Sequence, residues 1–108
     1  MDKHMIESMT ACIVDEVHPE EVILFGSRAK GTSGPHSDVD LLVVLADNED
    51  TRLHRRGMTG RIYRRLAGFP VSKDILVYTR SEVDQWRNEP QHVVSAGLSE
   101  GLRLYVQP

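Results

Sequence analysis

Phe25-Gly26-Ser27-Arg28-Ala29-Lys30-Gly31, followed after a short gap by Ser37-Asp38-Val39-Asp40-Leu41-Leu42-Val43-Val44-Leu45, decides how this chain is read. The apolar run Glu21–Phe25 ends at a Gly-Ser turn. After ten intervening residues, two aspartates separated by one valine open a second apolar run. Side chains on a strand alternate between faces, so Asp38, Asp40, Leu42 and Val44 share one face, and Val39, Leu41, Val43 and Leu45 the other. The first face changes from acidic to apolar along its length. Two carboxylates therefore sit at the mouth of a sheet with core behind them. Held close on a rigid edge they repel, and a cation between them relieves that cost.

Magnesium prefers hard oxygen ligands and keeps waters and substrate phosphates, so a carboxylate pair is a suitable half-site. Two such ions can bridge the attacking and leaving oxygens of an in-line phosphoryl displacement. Gly26 lets backbone approach a phosphate closely. Ser27 opens a helical turn whose free N–H groups attract an anion, and Arg28 and Lys30 add positive charge. A polyphosphate is expected to run from Gly26 and Ser27 to ions held by Asp38 and Asp40. The plainer alternatives are a strand cap for the aspartates, a helix cap for Ser27 and solvation for Arg28 and Lys30.

Outward from this stretch, Met5, Met9, Cys12, Ile13 and Val17 recur at helical spacing, which predicts a helix over residues 3–17, ended by His18-Pro19. Residues 28–37 read as a turn of helix and a loop, and the second strand as 38–45. Asp47-Asn48-Glu49-Asp50 is expected to cap a helix over 51–67 with Leu53, Met58, Ile62 and Leu66 on its apolar side. A third strand is expected over 71–78, with Asp74 inside it. Ser81-Glu82-Val83-Asp84 resembles a capping sequence for a short helix. Pro90 suits the first turn of a helix over 90–99, and residues 102–106 suit a last strand. The alternation predicts one α/β (α+β) domain over residues 1–108, a small mixed sheet flanked by helices.

The 108 residues are enough for one core, and 40% hydrophobic content is ordinary for a globular protein. No apolar run approaches the ~20 residues of a membrane helix, and Met1-Asp2-Lys3-His4 does not open a secretory signal. A lone cysteine, Cys12, excludes an internal disulfide and fits a cytoplasmic setting. It also cannot complete a thiolate zinc site. Cys12 and its neighbouring methionines are expected in the core. The net charge of −3 argues against direct nucleic-acid binding. The arginines at 52, 55, 56, 61, 64 and 65 read as a solvated helix face, or alternatively as a dock for an acidic partner surface.

Gly26-Ser27, ten residues, then Asp38-Val39-Asp40 resembles the signature of polymerase-β-like nucleotidyltransferases. Gly-Ser-Arg-Ala-Lys-Gly and Ser-Asp-Val-Asp-Leu resemble the wording of their minimal branch. That branch is the small half of two-gene modules with a HEPN-domain protein. The resemblance implies a third carboxylate on a later strand, a place that Asp74 fills. It implies that Asp38, Asp40 and Asp74 hold magnesium and that Asp74 also takes the proton of an acceptor hydroxyl. AMP would pass from ATP to that hydroxyl, a tyrosine of a HEPN-domain ribonuclease toxin, making this chain the antitoxin. Two rivals stand beside it. One is an antitoxin that neutralises its partner by contact alone. The other is a small-molecule enzyme akin to aminoglycoside nucleotidyltransferases, with a homo-oligomer building the acceptor pocket.

Overall fold

The helix predicted from the first apolar period forms as α1, Lys3–Val17, with Ile6, Met9, Ile13 and Val17 buried along one stripe. The computed structural model describes residues 3–31, 38–89 and 91–108; the side chains of Ser27, Lys30, Val93 and Ala96 lie outside that description. His18 takes a left-handed conformation (φ 48°) and its N–H closes on Val14 O at 3.0 Å, which turns the chain before Pro19. Then come β1 (Glu21–Phe25), α2 (Gly26–Lys30), β2 (Val39–Leu45), α3 (Glu49–Leu66), β3 (Lys73–Thr79), α4 (Arg80–Trp86), α5 (Val93–Glu100) and β4 (Leu102–Val106).

The strands form one mixed sheet in the order β3-β2-β1-β4. β1 is antiparallel to β2 and β4, and β2 runs parallel to β3, the pair that α3 connects. A parallel neighbour needs such a crossover, whereas an antiparallel one does not. α1 and α3 cover one face, packing Met9, Ile13, Met58, Ile62 and Leu66 on Val22, Leu24, Val39, Leu41, Val43 and Leu45. The opposite face carries Ile23, Leu42 and Val44 under Val83 of α4 and Val94 of α5. The alternation predicted along β2 is thus the division between two cores. Each buried leucine or valine contributes roughly 1.5–3 kcal/mol through area removed from water.

Several boundaries differ from expectation. α2 begins at Gly26, two residues early. Asn48 caps α3, its side chain accepting from Thr51 N–H at 2.8 Å. Thr79, not Ser81, caps α4 through a reciprocal pair with Glu82. α5 starts at Val93 rather than at Pro90, which lies outside the described residues, as does the loop over 32–37. Leu53 is not on the apolar side of α3: it is 62% exposed. The stripe of an 18-residue helix is set by Met58, Ile62 and Leu66, and Leu53 falls off it.

The arginine run is also more engaged than a solvated face. Arg61 donates to Glu16 Oε2 and to Glu16 O, each at 2.9 Å, and Arg65 reaches Asp15 at 3.0 Å and Glu16 at 3.3 Å. These bonds clamp the C-terminal turn of α1, where orphan carbonyls welcome a cation. At the outer margin of the sheet, Ile75 N–H donates to Tyr63 Oη at 2.9 Å, and Arg55 Nη2 donates to Val77 O at 3.0 Å. At the other end of β1, Glu21 is 5% exposed and faces Arg80 Nη2 at 2.5 Å and Arg103 Nε at 3.0 Å. A buried carboxylate persists only with such pairing.

Candidate active site

β2 and β3 bring the predicted acids together through register. In the parallel pair, Asp40 stands opposite Asp74, so both side chains leave the same face, about 4.8 Å apart strand to strand. Asp38 lies one residue before β2, with the parity of Asp40. The face continues as Leu42 and Leu76, apolar and packed against the α4–α5 layer. Asp38 and Asp74 are exposed and Asp40 is half-buried.

The Gly-Ser turn meets the acids from the adjoining strand. Phe25, the last residue of β1, pairs with Asp40. Gly26 follows at φ +75°, a region that favours glycine. A Cβ at position 26 would overlap Asp40 Oδ2 and lie 3.3 Å from its Cγ. Glycine is therefore needed twice over, for its dihedral and for the space that the Asp40 carboxylate fills. The two halves of the sequence motif are in contact.

Arg28 is buried, 7% exposed, rather than solvating α2. Its Nε donates to Asp38 O at 3.2 Å, so α2 holds the entrance of β2 in place. Burial pushes the Asp40 carboxyl above its ordinary range, and the charges of Asp74 and Asp38 push it further, while Arg28 opposes them. Among the described side chains, three acids thus converge with Arg28 against them. Such a set favours a divalent ion, which would lower the Asp40 carboxyl again. Among the described residues, no group of three or more His, Cys, Asp or Glu side chains is arranged closely enough to hold a metal alone. The fit is that of a half-site, to be completed by phosphate oxygens and water as magnesium usually requires.

The model of the nucleotidyltransferase domain family matches residues 9–106. The chain belongs to the nucleotidyltransferase domain family. This family assignment covers the sheet, the Gly-Ser turn and all three acids. No curated protein matches the sequence. Among solved structures, this nucleotidyltransferase-family chain resembles an inferred nucleotidyltransferase from Sulfolobus solfataricus, 25% identical over 99% of this chain and 91% of that one, with a TM-score of 0.56. It shares its fold with a chain of a toxin–antitoxin complex with AMP-PNP, 20% identical over 94% of this chain and 73% of that one, TM-score 0.57. A variant of the MntA–HpeT toxin–antitoxin pair is 18% identical over the same shares, TM-score 0.53.

Of the residues singled out from sequence, Asp38, Asp40, Asp74, Gly26 and Arg28 meet at one end of the sheet. The backbone of Ser27 and Lys30 belongs to α2 beside them. Trp86 packs flat on His92 at 4.5 Å, in the layer covering the same face, and His92 Nδ1 accepts from Val94 N–H at 3.1 Å. Sequence reasoning did not find the support that Arg28 gives Asp38. The signal was present only as a basic residue ten positions upstream.

Proposed function

We propose that this chain is a magnesium-dependent nucleotidyltransferase that moves AMP from ATP to a hydroxyl, the acceptor being a tyrosine of a HEPN-domain toxin. The observation that carries the reading is the convergence of Asp38, Asp40 and Asp74 on one sheet end, against the turn at Gly26. Asp38 and Asp40 supply oxygen ligands, and Asp74 completes the set. Magnesium, when bound there, would supply charge neutralisation for the triphosphate. Gly26 leaves room for the Asp40 carboxylate, and Gly26 and Ser27 present backbone to the phosphates. Asp74 takes the proton of the acceptor hydroxyl. The hydroxyl oxygen forms a bond to the α-phosphorus while the α–β bridging P–O bond breaks, and pyrophosphate departs. No covalent enzyme intermediate is needed, because positioning and charge neutralisation lower the barrier.

An adenine nucleotide is supported by the AMP-PNP of the fold neighbour, and a toxin acceptor by the pairs to which both low-identity neighbours belong. The test is intact-mass spectrometry of the product of the gene adjacent to this chain's own, after incubation with this protein, ATP and magnesium. The expected result is a gain of one or more AMP units that requires magnesium and is lost by about 10²–10³-fold in rate with Asp40→Asn. An unmodified partner, or undiminished transfer by the variant, would overturn the proposal.

A further inference from the structure

We infer that the groove along the outer margin of β3 docks an acidic, tyrosine-bearing segment of the protein acceptor, an inference that rests on the transfer reading above. The groove, about 580 Å³, lies between α3 and β3 and is walled by Arg52, Arg55 and Arg56, with Leu53, Val77 and Tyr78 among its apolar surfaces. Its floor starts at Ile75, the residue after Asp74, and includes Leu76, which shares the face of Asp74. Leu76 is about 7 Å along the strand from Asp74. A polypeptide lying in the groove therefore reaches the acid end within about two residues.

The charges in the groove are unequal. Arg55 is committed: it pairs with Glu82, donates to Val77 O and lies 5.7 Å from the centre of the Tyr78 ring. It is a fixed wall. Among the described residues, the ion-pair partner of Arg52 is the exposed Glu49, at 3.7 Å, a contact of little strength in water. Arg56 has no ion pair among the described residues. Two exposed guanidiniums thus face outward beside an exposed leucine, whereas Arg61 and Arg65 of the same helix are spent on α1. Guanidinium forks suit carboxylates, and Leu53 suits an apolar side chain between them. A nucleic acid fits less well. Tyr78 is a single ring already faced by Arg55, not a run of stacking platforms.

The test uses a fluorescent random copolymer of glutamate and tyrosine as probe, followed by anisotropy without ATP or magnesium. Binding should weaken with salt. The double variant Arg52→Glu/Arg56→Glu should lower affinity by at least about tenfold, and the charge-matched control Lys3→Glu/Arg87→Glu by less than about twofold. Equal losses in both variants would overturn the assignment. So would no binding of the copolymer by the unaltered protein, or tighter binding of a single-stranded RNA oligonucleotide at the same salt. Because the readout needs no nucleotide, a protein that docks the copolymer yet transfers no AMP would break the transfer reading and leave the groove standing.

Discussion

The two faces of β2 are built from alternate residues of one strand, yet they answer to different demands. Val39, Leu41, Val43 and Leu45 face α1 and α3 and are buried without a polar atom among their side chains. Their counterparts begin as Asp38 and Asp40 and become apolar only at Leu42. One face is locally consistent with folding throughout. The other opens with like charges in partial burial, a conflict that proteins accept chiefly at functional sites. The family assignment alone names a fold and a reaction type; the unequal faces of one strand are the reason the chemistry is proposed at that end of the sheet.

The strongest way to break this comparison is to hollow the consistent face. Leu41→Ala should destabilise the protein by about 2–5 kcal/mol through lost transfer energy and a cavity, read as a shift in denaturant midpoint. The transfer rate per folded molecule should stay near its original value. A loss of activity without a loss of stability would mean that the faces do not divide the labour. A smaller effect is expected at the hinge between them. Gly26→Ala imposes a left-handed dihedral on alanine and pushes a methyl group into the Asp40 carboxylate, at a cost of about 1–3 kcal/mol. Activity should fall much further than stability. Equal, slight losses in both would show that the Gly26–Asp40 contact is incidental.

The finest test uses pH, because one acid on each side has an opposite sign. Asp40, pushed up by burial and then by Asp74 and Asp38, is penalised in the folded state while charged. That penalty is fully present above its folded pKa and is relieved as pH falls through it, vanishing below the ordinary 3.8. Glu16, on the helical side, is held below its ordinary 4.5 chiefly by the hydrogen bond from Arg61, against the opposing effect of burial. Its contribution is present above 4.5 and lost as pH falls through the lowered value. Denaturant titrations between pH 7 and 3 should therefore show Asp40→Asn more stable than the unaltered protein at pH 7 and Glu16→Gln less stable, both gaps closing in acid. Gaps of the same sign would contradict the electrostatic account.

Much of this was legible in the residues. The spacing of Ile13, Val17, Ile62 and Leu66 marked helices because the buried stripe follows the helical period. The parity of Asp38 and Asp40 followed from the pleat. Both are local regularities. What depended on distances between elements was not readable. No period announces that Arg28 folds inward to Asp38 O, that Asp40 occupies the space beside Gly26, or that Glu21 is a buried acid held by Arg80 and Arg103. The alignment of Asp74 with Asp40 required the parallel register that the α3 crossover creates, and the sequence offered it only through family resemblance. Leu53 was misplaced because it lies five residues before Met58, about 140° round the helix from the buried stripe.

One small feature of β3 has a wider effect. Its outward N–H at Ile75 and carbonyl at Val77 are already satisfied by Tyr63 and Arg55, so the border nearest the acids offers few backbone groups for a foreign strand to template upon. Fibril-like growth is discouraged there. Recognition of the kind proposed at that border would rest on side chains, so that a few arginine exchanges would retune which partner is accepted while the scaffold beneath stays the same.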